Sequence, residues 1–272
     1  MARDVAVSWL EEAGFNCDVA HSPSFPGGVD WKVVDPQSYS LVAFVCGPLG
    51  NGEPVSEFLD RFGGVRTIGL GLSMLHPIDE WNPFELLLER DSTRAARPDL
   101  SFAHERPRPP VVGLVLAQKE SEYPGVMQDA TDEAIEHLVS SREMSIVRID
   151  TCFDPENTGG LRTPGEVEAL LSRMDAVITT RLHGLVLALK NGVPALAIDR
   201  VAGGAKIKKQ AEAIGWPLVF TADRLDHGDL ERALASCLTP DMRERASTCA
   251  REAIAATEDT RNRLLEWLAT ED

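Results

Sequence analysis

Residues 175–199 read DAVITTRLHGLVLALKNGVPALAID, and the fold class follows from this stretch. Asp175–Thr180 is a short, apolar, β-branched run with the character of a buried strand. A polar step, Arg181-Leu182-His183, separates it from an apolar helical segment reaching Lys190, and Asn191-Gly192 supplies the helix stop. Val193–Ile198 is a second short apolar run. Strand, helix and strand in this order, with both strands apolar throughout, form a βαβ unit and call for a parallel sheet covered on both faces.

The pattern repeats outward. Val111–Ala117 and Ser145–Ile149 read as strands, Val126–Ser141 as a helix, and Thr163-Pro164-Gly165-Glu166 as a capping box with proline at the first helical position. Ala205–Ile214 reads as a helix ended by Gly215, and Asp241–Leu268 as a long terminal helix with apolar residues at helical spacing. The first half is less regular. Asp4–Gly14 reads as a helix, Cys17–Ala20 as a short strand, Leu41–Cys46 and Val65–Leu72 as strands, and Trp81–Arg90 as helical. Between the halves, Arg94–Pro110 turns polar and ends with three prolines in four residues, which neither a helix nor a central strand accommodates. The expected division is a domain over 1–105 and a second over 106–272.

Composition bounds the function. With 272 residues, 43% hydrophobic and 26% charged, the chain has the make-up of an ordinary globular α/β protein. Its net charge of −16 disfavours nucleic-acid binding, because phosphate neutralisation needs a basic face. Five widely spaced cysteines without a C-x-x-C pair argue against a disulfide framework or a thiolate zinc site. No apolar run approaches the roughly 18 residues that span a bilayer, and residues 1–5 lack the apolar core of a signal peptide, so the expected location is cytoplasmic. No metal and no cofactor are expected.

Several signatures fail. Gly69-Leu70-Gly71 opens like G-x-G-x-x-G but lacks the third glycine, Ser73 lacks the flanking glycine of a nucleophile elbow, and no Walker loop or H-E-x-x-H occurs. The glycines of Gly47–Gly52 read as an ordinary βα turn.

One loop combines anion binding with acid–base chemistry. A helix following Thr179-Thr180-Arg181 offers unpaired N–H groups and a partial positive charge. Arg181 adds a planar donor for carboxylate or phosphate, the threonines add hydroxyls, and His183 adds an imidazole that can give or take a proton. Spacing alone leaves a structural alternative open: Arg181 as the cap of a neighbouring helix and His183 as a satisfied core histidine.

Asp175–Asp199 with its continuation resembles the polysaccharide pyruvyl transferase family, whose pattern of strand, (S/T)-R-(L/Y)-H-G, apolar helix, G-x-P, strand and downstream lysine is met by Thr180, Arg181, Leu182, His183, Gly184, Gly192, Pro194 and Lys206. The resemblance implies two Rossmann-like domains in a GT-B-like arrangement. The N-terminal domain is expected to be short or truncated, since family members begin with a strand and an N-x-G-D turn before the first helix. It also implies phosphoenolpyruvate as donor and a sugar or glycan precursor as acceptor, with Thr180, Arg181, the Leu182 backbone, Gly184 and Lys206 binding the donor and His183 as general acid. Arg200, followed by the glycines and lysines of Gly203–Lys209, and Arg162 are weaker candidates, as are Arg61, Arg66 and His76 in the first domain. Two other readings stand beside it: a GT-B-like glycosyltransferase using a nucleotide sugar, whose diphosphate the Lys206 cluster would serve, and a degenerate member that binds an anion without catalysis.

Overall fold

The computed structural model describes residues 1–20, 27–92, 94–117, 125–152 and 159–270, and the chain divides into two compact units, Met1–Pro107 and Arg108–Asp272. In the first, helix α1 (Ala2–Glu12) precedes strand β1 (Leu41–Leu49), α2 (Val55–Arg61), β2 (Arg66–Met74) and β3 (Leu86–Leu88). The three strands form a parallel sheet in the order β1-β2-β3 over a small core of Leu49, Leu72, Phe84 and Leu87.

β1 and β2 kink together. Val45 pairs with Leu70 and Gly47 with Leu72, and the residues skipped between them, Cys46 and Gly71, have φ of 62° and 63°. Gly47, next to Cys46, is left-handed as well, at φ 87°, and pairing resumes there with Leu72, so the register is kept across the bend. Gly69 lies inside β2, where a Cβ would stand 2.8 Å from methyls of both Leu72 and Leu87. The two glycines that open like a dinucleotide fingerprint therefore serve strand packing and bending.

Two local expectations are corrected here. Among the described residues Cys17–Ala20 forms no strand, and Ala20 makes an isolated bridge to Val29. The segment expected to be helical, Trp81–Arg90, instead carries β3, since pairing of Leu86–Leu88 with Ile68–Leu70 outweighs the helix propensity of three leucines behind Pro83. Just after β3 the fully buried Glu89 accepts from Arg94 Nε at 2.7 Å and from Ser92 Oγ at 3.0 Å, with Arg97 Nη1 at 3.2 Å. The Arg94 hydrogen bond is the main reason its carboxyl is held down to about 2.

The second unit runs β4 (Val111–Val115), α3 (Gln128–Ser140), β5 (Ser145–Arg148), α4 (Pro164–Leu171), β6 (Ala176–Thr179), α5 (Leu182–Lys190), β7 (Ala195–Asp199), α6 (Lys206–Ala213), β8 (Val219–Thr221), α7 (His227–Cys237) and α8 (Pro240–Ala269). β8 and α7 are additions to the elements read from the sequence. All five strands are parallel, in the order β5-β4-β6-β7-β8. Along β6, Ala176 and Ile178 face α3 and α7, whereas Val177 faces α4, α5, α6 and α8. That two-residue period with both faces covered explains why the strand is apolar at every position.

α8 packs on α5 through Ala246 and Cys249, while Ile254, Leu264, Leu265, Trp267 and Leu268 are exposed. Both units are thus α/β structures on parallel sheets, the class the sequence implies. Among the described residues no helix is long and apolar enough to cross a membrane.

Candidate functional site

The strand order fixes where a site belongs. From β4 the chain moves to β5 on one side and then crosses to β6 on the other, so the connections diverge at the carboxyl ends of β4 and β6. Open α/β sheets bind ligands at such a switch point. Arg181 follows β6 directly and stands there.

Two threonines lace the two strand ends together. Thr179 Oγ1 donates to the Val115 carbonyl at 2.9 Å and accepts from the Arg181 amide at 2.9 Å. Thr180 Oγ1 accepts from the Ala117 amide at 2.8 Å, and both threonines are buried. Thr180, expected to contact a donor, thus has its hydroxyl engaged by the fold. Gly184 lets α5 seat against this lacing: a Cβ there would overlap the Thr179 hydroxyl and stand 2.9 Å from Val115 Cγ1.

Arg181 is the N-cap residue of α5, extended at φ −114° and ψ 138°, and among the described residues no side chain caps this helix. Its half-buried guanidinium donates through Nη1 to Asp150 Oδ1 at 2.8 Å and Thr151 Oγ1 at 3.1 Å. Asp150 and Thr151 come from the end of β5, on the far side of β4. Leu182 is half-buried against the core, and His183 is exposed beside Arg181 in the first turn of α5.

The other helices that open on this edge treat their N-termini differently. At α4, Thr163 accepts from the Glu166 amide, and Glu166 accepts from the amides of Arg162 and Thr163 at 2.6 and 2.9 Å. Those two amides, Arg162 first, hold the Glu166 carboxyl below its usual range. At α7, Asp226 accepts from the Asp229 amide. At α6, the Asp199 carboxylate accepts from the amides of Ala205 at 2.7 Å, Ile207 at 3.1 Å and Lys208 at 3.0 Å, with Val201 at 3.2 Å on its other oxygen. The glycine-lysine loop thus already holds an anion, the protein's own. α3 lacks a side-chain cap but opens on Asp129, with Asp132 one turn on.

The weaker candidates are placed as follows. Arg200 is buried and directed at Asp132 Oδ1 at 3.0 Å, tying β7 to α3. Lys206 is the half-buried first residue of α6. Arg162 is exposed and bonds the Leu161 carbonyl through Nη1. Asn157 and Thr158 of the loop before it lie outside the described residues. In the first unit, Arg61 holds the carbonyls of Trp31 and Val34, Arg66 pairs with Glu85, and His76 meets the Trp81 ring edge-on. Among the described residues no three His, Cys, Asp or Glu side chains are grouped to hold a metal ion. Sequence reasoning missed Asp150 and Thr151, whose one signal is polar residues directly after a buried strand. It also missed the task of Asp199, the last residue of the stretch that decides the fold.

Chemically, α5 presents first-turn amides, a guanidinium and an exposed imidazole together. That set suits a small dianion or trianion with an atom to be protonated.

Several solved glycosyltransferases are similar in structure at 19% identity. They are CalG4, the calicheamicin glycosyltransferase (TM-score 0.39; 80% of this chain, 55% of that one), the spinosyn forosaminyltransferase SpnP (0.41; 80% and 62%) and the glycosyltransferase of kitacinnamycin (0.37; 78% and 58%). The chain spans roughly three-fifths of their length. No curated protein matches it in sequence. Residues 119–200, which include Asp150, Thr180, Arg181, His183 and Gly184, match the family model of polysaccharide pyruvyl transferase, and over that span the resemblance read from the sequence is borne out.

Proposed function

We propose that this chain is a pyruvyltransferase that moves the enolpyruvyl unit of phosphoenolpyruvate onto a sugar or glycan precursor as a ketal. The observation that carries the reading is the N-terminus of α5. Where α4, α6 and α7 offer their first amides to a threonine or a carboxylate of the chain, α5 offers them to none among the described residues and sets Arg181 beside them. A donor with phosphate and carboxylate groups fits that combination. The family match over the same residues supports it.

In this reading Arg181 and the amides of Leu182 and His183 hold the donor, with Lys206 adding charge from α6. His183, as imidazolium, protonates the methylene carbon of the donor, and the electron pair of the double bond forms the new C–H bond. One acceptor hydroxyl attacks the resulting cationic carbon. A second hydroxyl then replaces phosphate, which leaves with the C–O bonding pair, and the two hydroxyl protons are released. Gly184 and Thr180 act through packing: one seats α5, the other fixes the end of β4.

The glycosyltransferase reading needs an open diphosphate site at the glycine-lysine loop, and Asp199 already fills that helix end. Calorimetric titration of phosphoenolpyruvate into the wild type and Arg181→Ala, with UDP-sugars in parallel, tests the assignment. Binding of phosphoenolpyruvate that Arg181→Ala abolishes is expected; binding of a UDP-sugar alone would refute it.

A further inference from the structure

The Arg181–Asp150 pair places a carboxylate inside a site built for anions. Simple charge arithmetic opposes this, because a carboxylate next to an incoming phosphate weakens its binding. Stability does not account for it either. Both side chains are about four-fifths buried, at 21% and 23% exposure, where the cost of desolvating two charges offsets much of their mutual attraction.

The geometry gives Asp150 another task. Its Oδ1 is itself fixed, accepting from the Cys152 amide at 2.9 Å, so it is a preset anchor rather than a mobile counterion. It touches Arg181 through Nη1 alone, together with the Thr151 hydroxyl. Among the described residues Nε and Nη2 have no partner, which leaves one edge of the guanidinium for two parallel hydrogen bonds to a ligand. A long, rotamer-rich side chain held at one corner loses less freedom when it captures that ligand.

We propose that Asp150, assisted by Thr151, is a positioning residue: it pre-orients Arg181 for bidentate capture of the phosphorylated donor at the α5 N-terminus. The inference rests on the proposed function and deepens it, since it identifies what makes the anion site preformed. Asp150 also accounts for why β5, separated from β6 by β4, contributes to the site at all.

Positioning and charge predict opposite outcomes for one substitution, and that makes the test decisive. Asp150→Ala removes both anchor and charge; Asp150→Asn keeps an oxygen acceptor for Arg181 and the Cys152 amide but removes the charge. Binding of inorganic phosphate and of phosphoenolpyruvate is measured by calorimetry on wild type and both variants. Far-ultraviolet circular dichroism and urea midpoints confirm that each is folded. The expected result is binding about tenfold weaker in Asp150→Ala, as for one newly immobilised side chain, with Asp150→Asn at or above wild-type affinity. Asp150→Ala binding as tightly as Asp150→Asn would overturn the positioning role while leaving the proposed function intact. Absence of binding by the folded wild type would overturn the proposed function and this inference with it.

Discussion

Gly184→Ala is the substitution for which the structure makes the sharpest quantitative statement. Gly184 lies in the first turn of α5, where alanine is ordinarily preferred by about 1 kcal/mol on helix propensity. Here the added methyl has nowhere to go. It would overlap the Thr179 hydroxyl and stand 3.0 Å from Thr179 Cβ and 2.9 Å from Val115 Cγ1, and both neighbours are fully buried strand residues. Forcing one methyl into such a core costs about 1–3 kcal/mol. Turning the Thr179 hydroxyl away sacrifices a hydrogen bond to the Val115 carbonyl or from the Arg181 amide, about 1 kcal/mol more. Against the propensity gain, the net destabilisation is about 1–3 kcal/mol, a fall in midpoint temperature of about 2–4 °C per kcal/mol for a unit of this size. Urea unfolding followed by circular dichroism measures it. Because relief of the overlap pushes the start of α5 away from β6, phosphoenolpyruvate affinity should fall in protein that is still fully folded. A variant as stable as wild type, or more so, would show that propensity governs this position and that the helix is not seated as tightly as described.

Two further outcomes are expected. Thr180→Val leaves the buried Ala117 amide without its acceptor and should destabilise the second unit by about 1–3 kcal/mol, whereas Thr180→Ser should recover most of the loss; equal stability of the valine and serine variants in urea would contradict the assignment. Glu89 is held down to about 2 from 4.5, chiefly by Arg94, so its contribution to stability is complete above the unfolded value near 4.5 and is lost as pH falls from there toward 2. The urea midpoint of Glu89→Gln should therefore vary less than that of wild type across this interval, and parallel profiles for the two proteins would count against the pairing.

What the sequence discloses and what it hides divide along the distance over which interactions act. The stretch from Asp175 to Asp199 yields its strand, helix and strand because burial on both sheet faces forces apolar residues at every strand position. The capping box at Thr163 and Glu166 is likewise local and is found in the structure. β3 is misread because Leu86–Leu88 favour a helix locally and only the neighbouring β2 makes them a strand. β8 is missed because three residues, Val219–Thr221, carry too short a pattern. At the site, Arg181 and His183 are legible because strand end and helix start adjoin in sequence. Asp150 meets Arg181 across β4, which no spacing announces. Arg200 and the loop before Lys206 look like open cations until Asp132 and Asp199 are seen to engage the guanidinium and the loop amides.

The helix end beside Arg181 also bears on how fast a ligand arrives. The chain carries a net charge of −16, so an approaching phosphorylated molecule meets a repulsive far field before it senses the short-ranged attraction of one guanidinium and a few amides. Dissolved salt screens the far field over about 10 Å at 0.1 M but weakens contacts inside a half-buried recess much less. Moderate ionic strength should consequently accelerate capture while leaving escape nearly unchanged, the reverse of what electrostatic steering does for a cationic enzyme. On the proposed function, the concentration of ions around this protein would thereby control the traffic into its site.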